Sequence, residues 1–437
     1  MSTWQDLVRA ALIGTERTAV PAVAVPGVPD SPGAADDPAA LLLDRAALLT
    51  VARRGGRLPE RAEPPPAAEP DAAPAVGAAA GRRLALILSG EHADLLTEWL
   101  TAAVARGRRA PAALLPALLE RVRRVVPADP ELRRLAAAAG GSRARWLAGL
   151  NRDWKFVTAR TLPGHDAWRL GSTVQRRGYL AALRATDPGA ARDLIAGGWA
   201  AAAPDERVMF VKALAGGLSL ADEPLLEAAL DDPNAWVRTM AAEVLAALPG
   251  SALARRMAER ALGCLSLHQG ARGTRLVVIA PAQCDAAMRR DGVGPGPIAG
   301  ISHPSGQANL VAEVLARTPL RTWTDAFGRP PEQIIALPSG GWASVLLAGW
   351  SQAAMAQRDQ DWMKTLISQV LTDEPPGTDR WSQTLRQLAR RVDPALGAPE
   401  VTTSREAGES AAVRDAIRVL RFRYDMLKEL DDDDSAG

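Results

Sequence analysis

Aromatic residues are scarce in this 437-residue chain: they total 4%, with 4 Phe and 2 Tyr beside 12 Trp. Runs of β-branched residues are also few, while Ala and Leu dominate, which favours helices packed through small side chains. Two cysteines, Cys264 and Cys284, exclude a disulfide framework for a chain of this size. Four histidines, scattered at 92, 165, 268 and 303, are a thin supply for acid–base chemistry. There is no G-x-S-x-G elbow, no Gly-rich loop ending in Gly-Lys-Ser/Thr, no H-E-x-x-H and no G-x-G-x-x-G after a strand. The opening "MSTWQDLVRAALIGTER" lacks a basic leader followed by a long apolar core and reads as a short amphipathic helix. No uncharged apolar run approaches the ~20 residues that cross a bilayer. Net charge is +2, so neither a nucleic-acid nor a membrane role follows from the total. The expectation is a soluble, cytoplasmic protein without cofactor and with no membrane partner.

What is present is 47% hydrophobic residues arranged mostly at helical spacing. Residues 1–80 hold a short N-terminal helix and a second helical piece, separated by Pro/Ala-rich stretches that cannot bury enough surface to fold alone. Helical patterning dominates over 81–262. An irregular insertion is expected at 263–308, with "GTRLVVIAP" as the best strand candidate and a Gly/Pro-rich loop after residue 285, long enough to be either functional or disordered. Helices return over 309–430. The last, about 410–430, places Val413, Ile417, Leu420, Tyr424 and Leu427 on one seam, and residues 431–437 form a frayed acidic tail.

Arg176, Arg207 and Arg238 stand 31 residues apart. Four positions after each comes Leu180, Val211 or Ala242, and seven after comes Leu183, Leu214 or Leu245. In the second half of the unit, Leu194, Ile195 and Trp199 match Leu225, Leu226 and Leu230. The third copy keeps only Met257 and Ala261, with Arg256 breaking the pattern. A fixed period with two apolar stripes per unit is how stacked helical hairpins appear in sequence. In "ALDDPNAWVRTMAAEVLAALPG", Asp232 is the expected N-cap and Pro233 the first helical residue. Pro249-Gly250 ends the helix, and Ser251 can cap the next. Arg238 lies beside the buried stripe, placed to bind a carboxylate or loop carbonyl of the neighbouring repeat. Arg176, Arg207, Arg238 and Asp232 are therefore expected to form a structural ladder.

The Asp-Pro…Val-Arg unit resembles a HEAT-type repeat of the short bacterial form, over about 171–262. More broadly, "WQDLVRAALIGTER", "DPGAARDLIAGGW" and "SLADEPLLEAALDD…VRTMAAEVLAALPGS" resemble a bacterial family of unknown function. Its members are typically encoded beside SWIM zinc-finger proteins, MoxR-type AAA+ ATPases and von Willebrand A proteins. The resemblance implies an all-α, HEAT-like solenoid acting in a multi-protein system, with an ATPase or zinc-finger protein of a shared operon among its partners.

Other chemistry was weighed on its residues. Cys264 and His268 sit at i, i+4 on a candidate helix with Cys284 and His303 downstream, but the spacing matches no common zinc site, so no metal ligand is assigned. The block 81–160 holds 15 Lys/Arg against 7 Asp/Glu. Within it Arg143, Arg145, Arg152 and Lys155 interleave with Trp146, Trp154 and Phe156, a pattern suited to phosphates and stacked bases. Trp146 and Leu150 share a helical face with Trp154 only one turn on, so these aromatics are more economically read as core. Trp342, Trp350 and Trp362 are read as gap-filling core, and the Asp222-Glu223 pair as a helix start. The leading expectation is a non-enzymatic scaffold or adaptor that binds another protein; the alternative is a HEAT-like nucleic-acid-binding protein or DNA glycosylase-like enzyme using the basic block.

Overall fold

The computed structural model describes residues 4–23, 37–55, 64–125, 130–158, 165–271, 273–294, 306–374, 378, 382–397 and 410–432. The chain divides into two compact units, Met1–Ala67 and Ala68–Gly437. The segments expected as 81–262, 263–308 and 309–430 thus belong to one unit. No helix among the described residues is long and apolar enough to cross a membrane.

In the first unit, α1 (Trp4–Ile13) pairs with α2 (Pro38–Gly55). Leu7 and Ala10 face inward, while Trp4, Val8 and Leu12, four residues apart, leave a second apolar stripe exposed. Arg45 on α2 donates to the carbonyls of Val20 (2.7 Å) and Pro21 (3.0 Å), tying down the chain beyond α1.

Among its described residues the second unit is all-α apart from one small hairpin. It begins with α3 (Ala78–Ser89), α4 (Leu96–Ala105), α5 (Leu115–Val125) and α6 (Pro130–Leu150). Helix α6 is broken at Gly141, whose φ of 61° and close approach to the Asp71 carboxylate admit no side chain. Asp71 accepts from the Ser142 N–H (2.6 Å), so a side chain from outside the helix caps its second half.

The 31-residue period then appears as paired helices: α7 (Asp166–Arg169), α8 (Thr173–Thr186), α9 (Pro188–Gly198), α10 (Pro204–Leu214), α11 (Glu223–Ala229), α12 (Ala235–Ala246) and α13 (Ala252–Cys264). Helix α8 packs on α10 and α10 on α12, while α9, α11 and α13 pack behind them. Burial follows the register: Leu180, Val211 and Ala242 form one buried line, and Ile195, Leu226 and Met257 another.

The described residues of the expected insertion hold a short hairpin and a short helix. Strands β1 (Leu265–Gly270) and β2 (Gly273–Val278) pair antiparallel, Leu265 opposite Val278. Leu265 and Leu276 turn one face of this hairpin into the core. A short α14 (Ala286–Arg290) follows, and α15 (Gly306–Arg317) already begins within the expected loop. Residues 295–305 of that loop lie outside the described residues.

Every residue of α15 from Ala308 to Arg317 is buried. It crosses α18 (Ala343–Gln357) so closely that a Cβ at Gly349 would meet the Leu315 Cβ at 2.8 Å. Between them run α16 (Arg321–Phe327) and α17 (Pro331–Ile335), and after α18 come α19 (Gln360–Thr372) and α20 (Ser382–Ala389). The last described helix, α21 (Ala411–Asp432), packs against α20 on one side and α3 and α4 on the other.

Two hydrophobic cores result. One runs from α8 to α20 and includes Val413, Ile417 and Leu420. The other is built by α3–α6 and includes Phe422, Met426 and Leu430. Helix α21 therefore belongs to both, its N-terminal half in one and its C-terminal half in the other. Tyr424 and Leu427, expected on its seam, are only half-buried; the seam continues instead through Arg423 and Met426.

Candidate functional site

The three arginines of the 31-residue register differ in what they bind. Arg176 donates to Glu206 of the next hairpin (2.8 Å). Arg207 forks onto both carboxylate oxygens of Asp232 (2.8 and 3.2 Å), again in the next hairpin. Arg238 differs: it binds the carbonyls of Asp232 (2.7 Å) and Pro233 (3.0 Å) in the turn before its own helix, not a group of the neighbouring repeat. Nor is Asp232 the N-cap. Its side chain accepts from the Asn234 N–H (2.8 Å), and Asn234 then caps α12 by accepting from Trp236 and Val237. Two Asx turns in succession place Pro233 in the turn, and the freed Asp232 carboxylate serves Arg207. Ser251 caps α13 as expected, accepting from Ala254 (3.1 Å).

An ion pair buried on both sides lies in the repeats, unannounced by the period. Arg184, in the last turn of α8, is 2% exposed and binds both oxygens of the fully buried Asp222 (2.9 and 3.0 Å). It also donates to the carbonyls of Leu214, Gly216 and Gly217 at the end of α10. Burial alone would push the Asp222 carboxyl up, but hydrogen bonds from Arg184, Arg192 and the Ser219 backbone hold it below its ordinary range. Asp222 is thus a buried anchor rather than only a helix start. A signal existed in "SLAD", where Ser219 and Asp222 cap reciprocally, but nothing in the period pointed to Arg184, because the equivalent positions are Ala215 and Ala246.

The break at Arg256 also has a cause. Arg256 and Arg260 on α13 bind Asp291, 1% exposed, at 2.7 and 2.6 Å. Arg256 reaches Glu227 as well (3.1 Å), and Arg290 returns to Asp231 (2.7 Å). The third repeat departs from the apolar pattern where α14 is strapped onto it.

A polar row crosses the stack. Lys212 on α10 and Glu243 on α12 occupy equivalent positions 31 residues apart, and the charge of Lys212 acts on the Glu243 carboxyl. Beside them, α15 presents Asn309, Glu313 and Arg317 at four-residue spacing, all three buried. Glu313 pairs with Arg317. Burial pushes the Glu313 carboxyl up, opposed by Arg317 and reinforced by Glu243. Glu243 reaches solvent, yet desolvation by the surrounding helices pushes it up too, against Arg317 and Lys212. Two raised carboxyls and two cations thus share one place, where a partner's charged groups would be felt strongly.

The remaining candidates fall elsewhere. Cys264 ends α13 and is buried, whereas His268 is exposed on β1, so the two do not share a helix; His303 lies outside the described residues. Among the described residues no group of three or more His, Cys, Asp or Glu is placed to hold a metal ion. Trp350 and Trp362 are buried and Trp342 packs on the first core. In the basic block Phe156 packs on the second core, Trp146 and Trp154 are half-buried, and Arg143, Arg145, Arg152 and Lys155 are exposed. Much of the block's positive charge is met within the chain: Arg83 by Glu429 (2.5 Å), Arg106 by Asp431 (2.5 Å) and Arg109 by Asp71 (3.2 Å). Asp431 and Asp432 are thus the helical end of α21, with Asp431 in an ion pair, rather than part of a frayed tail; residues 433–437 lie outside the described residues.

A family model described as a family of unknown function (DUF5691) matches residues 6–382, and the chain belongs to that family. No curated protein and no solved structure matches it.

Proposed function

We propose that this member of the DUF5691 family is a non-enzymatic scaffold or adaptor, a HEAT-like stack of helical hairpins that binds another protein through the exposed Lys212 and Glu243 of α10 and α12, which the buried charges of α15 back. The observation that carries this reading is the row itself. Lys212 and Glu243 recur in register, and next to them lies a buried Glu313–Arg317 pair whose carboxyl is held out of its ordinary range. Charged groups gathered on one line of an apolar stack give orientation and specificity to a partner of complementary charge. The exposed Trp4, Val8 and Leu12 stripe of the first unit supports the same reading, since contiguous apolar surface marks protein contact. The partners this reading favours are an ATPase or a zinc-finger protein of a shared operon.

The test is affinity purification with mass spectrometry, run with the wild-type chain and with a Lys212→Glu, Glu243→Lys double variant. A partner retained by the first and lost by the second, with helicity unchanged, supports the reading. An identical set of partners for both removes the polar row from it.

One observation favours a second reading. Arg143, Arg145, Arg152 and Lys155 are exposed and make no ion pair among the described residues, leaving several cations for phosphates. A nucleic-acid-binding protein would then show a gel shift that falls steeply with salt, by about 0.9 log units per phosphate contact per tenfold salt for duplex DNA. No shift at low salt would discard it.

A further inference from the structure

A groove of about 510 Å³ runs along α4, between that helix and the residues that follow α20. One wall belongs to the second core and the other to the end of the first. Its volume lies in the ordinary range for ligand sites, roughly 300–1,000 Å³, and such sites favour junctions of this kind. The lining on α4 extends from Thr97 to Ala105, a run of about 12 Å at helical rise, and Asp94 and Leu95 of the preceding turn prolong it. An elongated site of that length suits about four extended residues better than a compact ion.

The chemistry of the lining is asymmetric. Leu95, Ala102, Ala105 and the methyls of Thr97 and Thr101 supply apolar wall. Both carboxylates in the groove are already neutralised: Asp94 by Arg390 (2.6 Å), and Glu98 by Arg423 (2.7 Å). The carbonyls at the end of α20, the negative end of its dipole, are occupied too, since Arg423 donates to Ala389 (2.8 Å) and Val392 (2.7 Å). What remains is the Arg391 guanidinium, exposed on the rim and without an ion pair among the described residues. Among the described residues lining the groove, an anion therefore meets the unpaired Arg391 guanidinium and two carboxylates that are each already paired.

We propose that this groove is a peptide-binding site, taking a short segment of a partner protein in which an Asp or Glu side chain meets Arg391 and a neighbouring apolar side chain lies along α4. A planar guanidinium suits a carboxylate through two parallel hydrogen bonds. The site is distinct from the polar row, and neither depends on the other.

The experiment uses the full chain and fluorescence anisotropy with a labelled six-residue peptide of alternating leucine and glutamate. A leucine–glutamine peptide is the neutral control. Expected are saturable binding of the acidic peptide and at least tenfold weaker binding of the neutral one. Arg391→Glu, which reverses the charge, and Thr101→Trp, which fills the groove, should each weaken binding at least tenfold. Arg255→Glu, on the exposed side of α13, should not change it, nor should the Lys212→Glu, Glu243→Lys double variant. The proposal is overturned if the folded wild type does not bind, if the neutral peptide binds equally, or if both groove variants bind as wild type. Full displacement by inorganic phosphate at the peptide's own concentration would likewise overturn it, in favour of a generic anion site.

Discussion

Arg184 and Arg423 perform the same task in two regions. Each is a buried guanidinium that caps the carbonyl end of a neighbouring helix and forks onto a carboxylate supplied by a third segment. In the repeats, Arg184 reaches Asp222, 38 residues along the chain, and both partners are buried. At the junction, Arg423 reaches Glu98, 325 positions distant, and Glu98 keeps 29% of its side chain exposed. The comparison separates two things that a buried ion pair does. Where both partners are sealed, loss of one leaves an uncompensated charge; where one is half-open, water replaces it. At the junction Phe422 also contacts Arg83 (4.7 Å) and His92 (4.6 Å), as Phe210 contacts Trp168 and Trp199 in the repeats.

Removing α21 by truncation before residue 410 should have the largest effect, because both cores lose apolar groups at once. The cooperative melt followed by circular dichroism should be replaced by a broad one, with α3–α6 exchanging amide hydrogens first; an unaltered melt would mean that each core stands without it. Next is Asp222→Ala, which strands Arg184 and should cost about 3–5 kcal/mol by chemical denaturation. Glu98→Ala should cost only about 1–3 kcal/mol, because solvent reaches Arg423's partner. Equal losses would erase the distinction drawn above.

Leu420→Ala and Met426→Ala should each cost about 2–5 kcal/mol, one in each core. A single transition in both variants would show that α21 couples the cores; two transitions in either would show that they unfold separately. Arg238→Ala should cost about 0.5–1.5 kcal/mol, since only two carbonyls of its own turn are released, and partner capture by the folded fraction should be unchanged.

The smallest effect separates the two regions by pH. Burial holds His92 below the ordinary histidine range, against the pull of Asp94, Glu91 and Asp415. A histidine that is harder to protonate when folded contributes stability above its unfolded pKa, and that contribution is lost as pH falls below about 6.5. Asp222 is held low instead, so its share persists until pH falls below about 3.9. Mild acid should therefore loosen the junction before the repeats. The same pH scan on His92→Gln should lose the upper step; a scan identical to wild type would dissociate that step from His92.

The all-α class and the register of Arg176, Arg207 and Arg238 were legible in the sequence because a repeat states the same local rule several times. Equivalent helices then carry equivalent burial, as at Leu180, Val211 and Ala242. Arg184 was not legible, because it occurs once and its place is alanine in the sister units. The cap of α12 was misplaced by two residues because "DDPN" offers two Asx side chains, and which one caps is decided by Arg207 claiming Asp232 from a different hairpin. The groove was invisible for a simpler reason: its walls come from α4 and from Arg390 and Arg391, almost three hundred residues apart in sequence. Glu313 and Glu243 were likewise ordinary helix residues until packing set them side by side.

The position of α21 bears on how the chain is made. Helices α3–α6 leave the ribosome before the repeats, yet Phe422, Met426 and Leu430, which complete their core, are translated hundreds of residues later. At about 5–20 residues per second, that interval is tens of seconds. During it the apolar faces of α3 and α4 have no permanent cover, and closing so long a loop is slow compared with local pairing. The repeats, whose contacts are made within a few dozen residues, can consolidate as they emerge. Birth order thus assigns the two cores different exposures to chaperones, and makes the arrival of one helix the event that ends the vulnerable period.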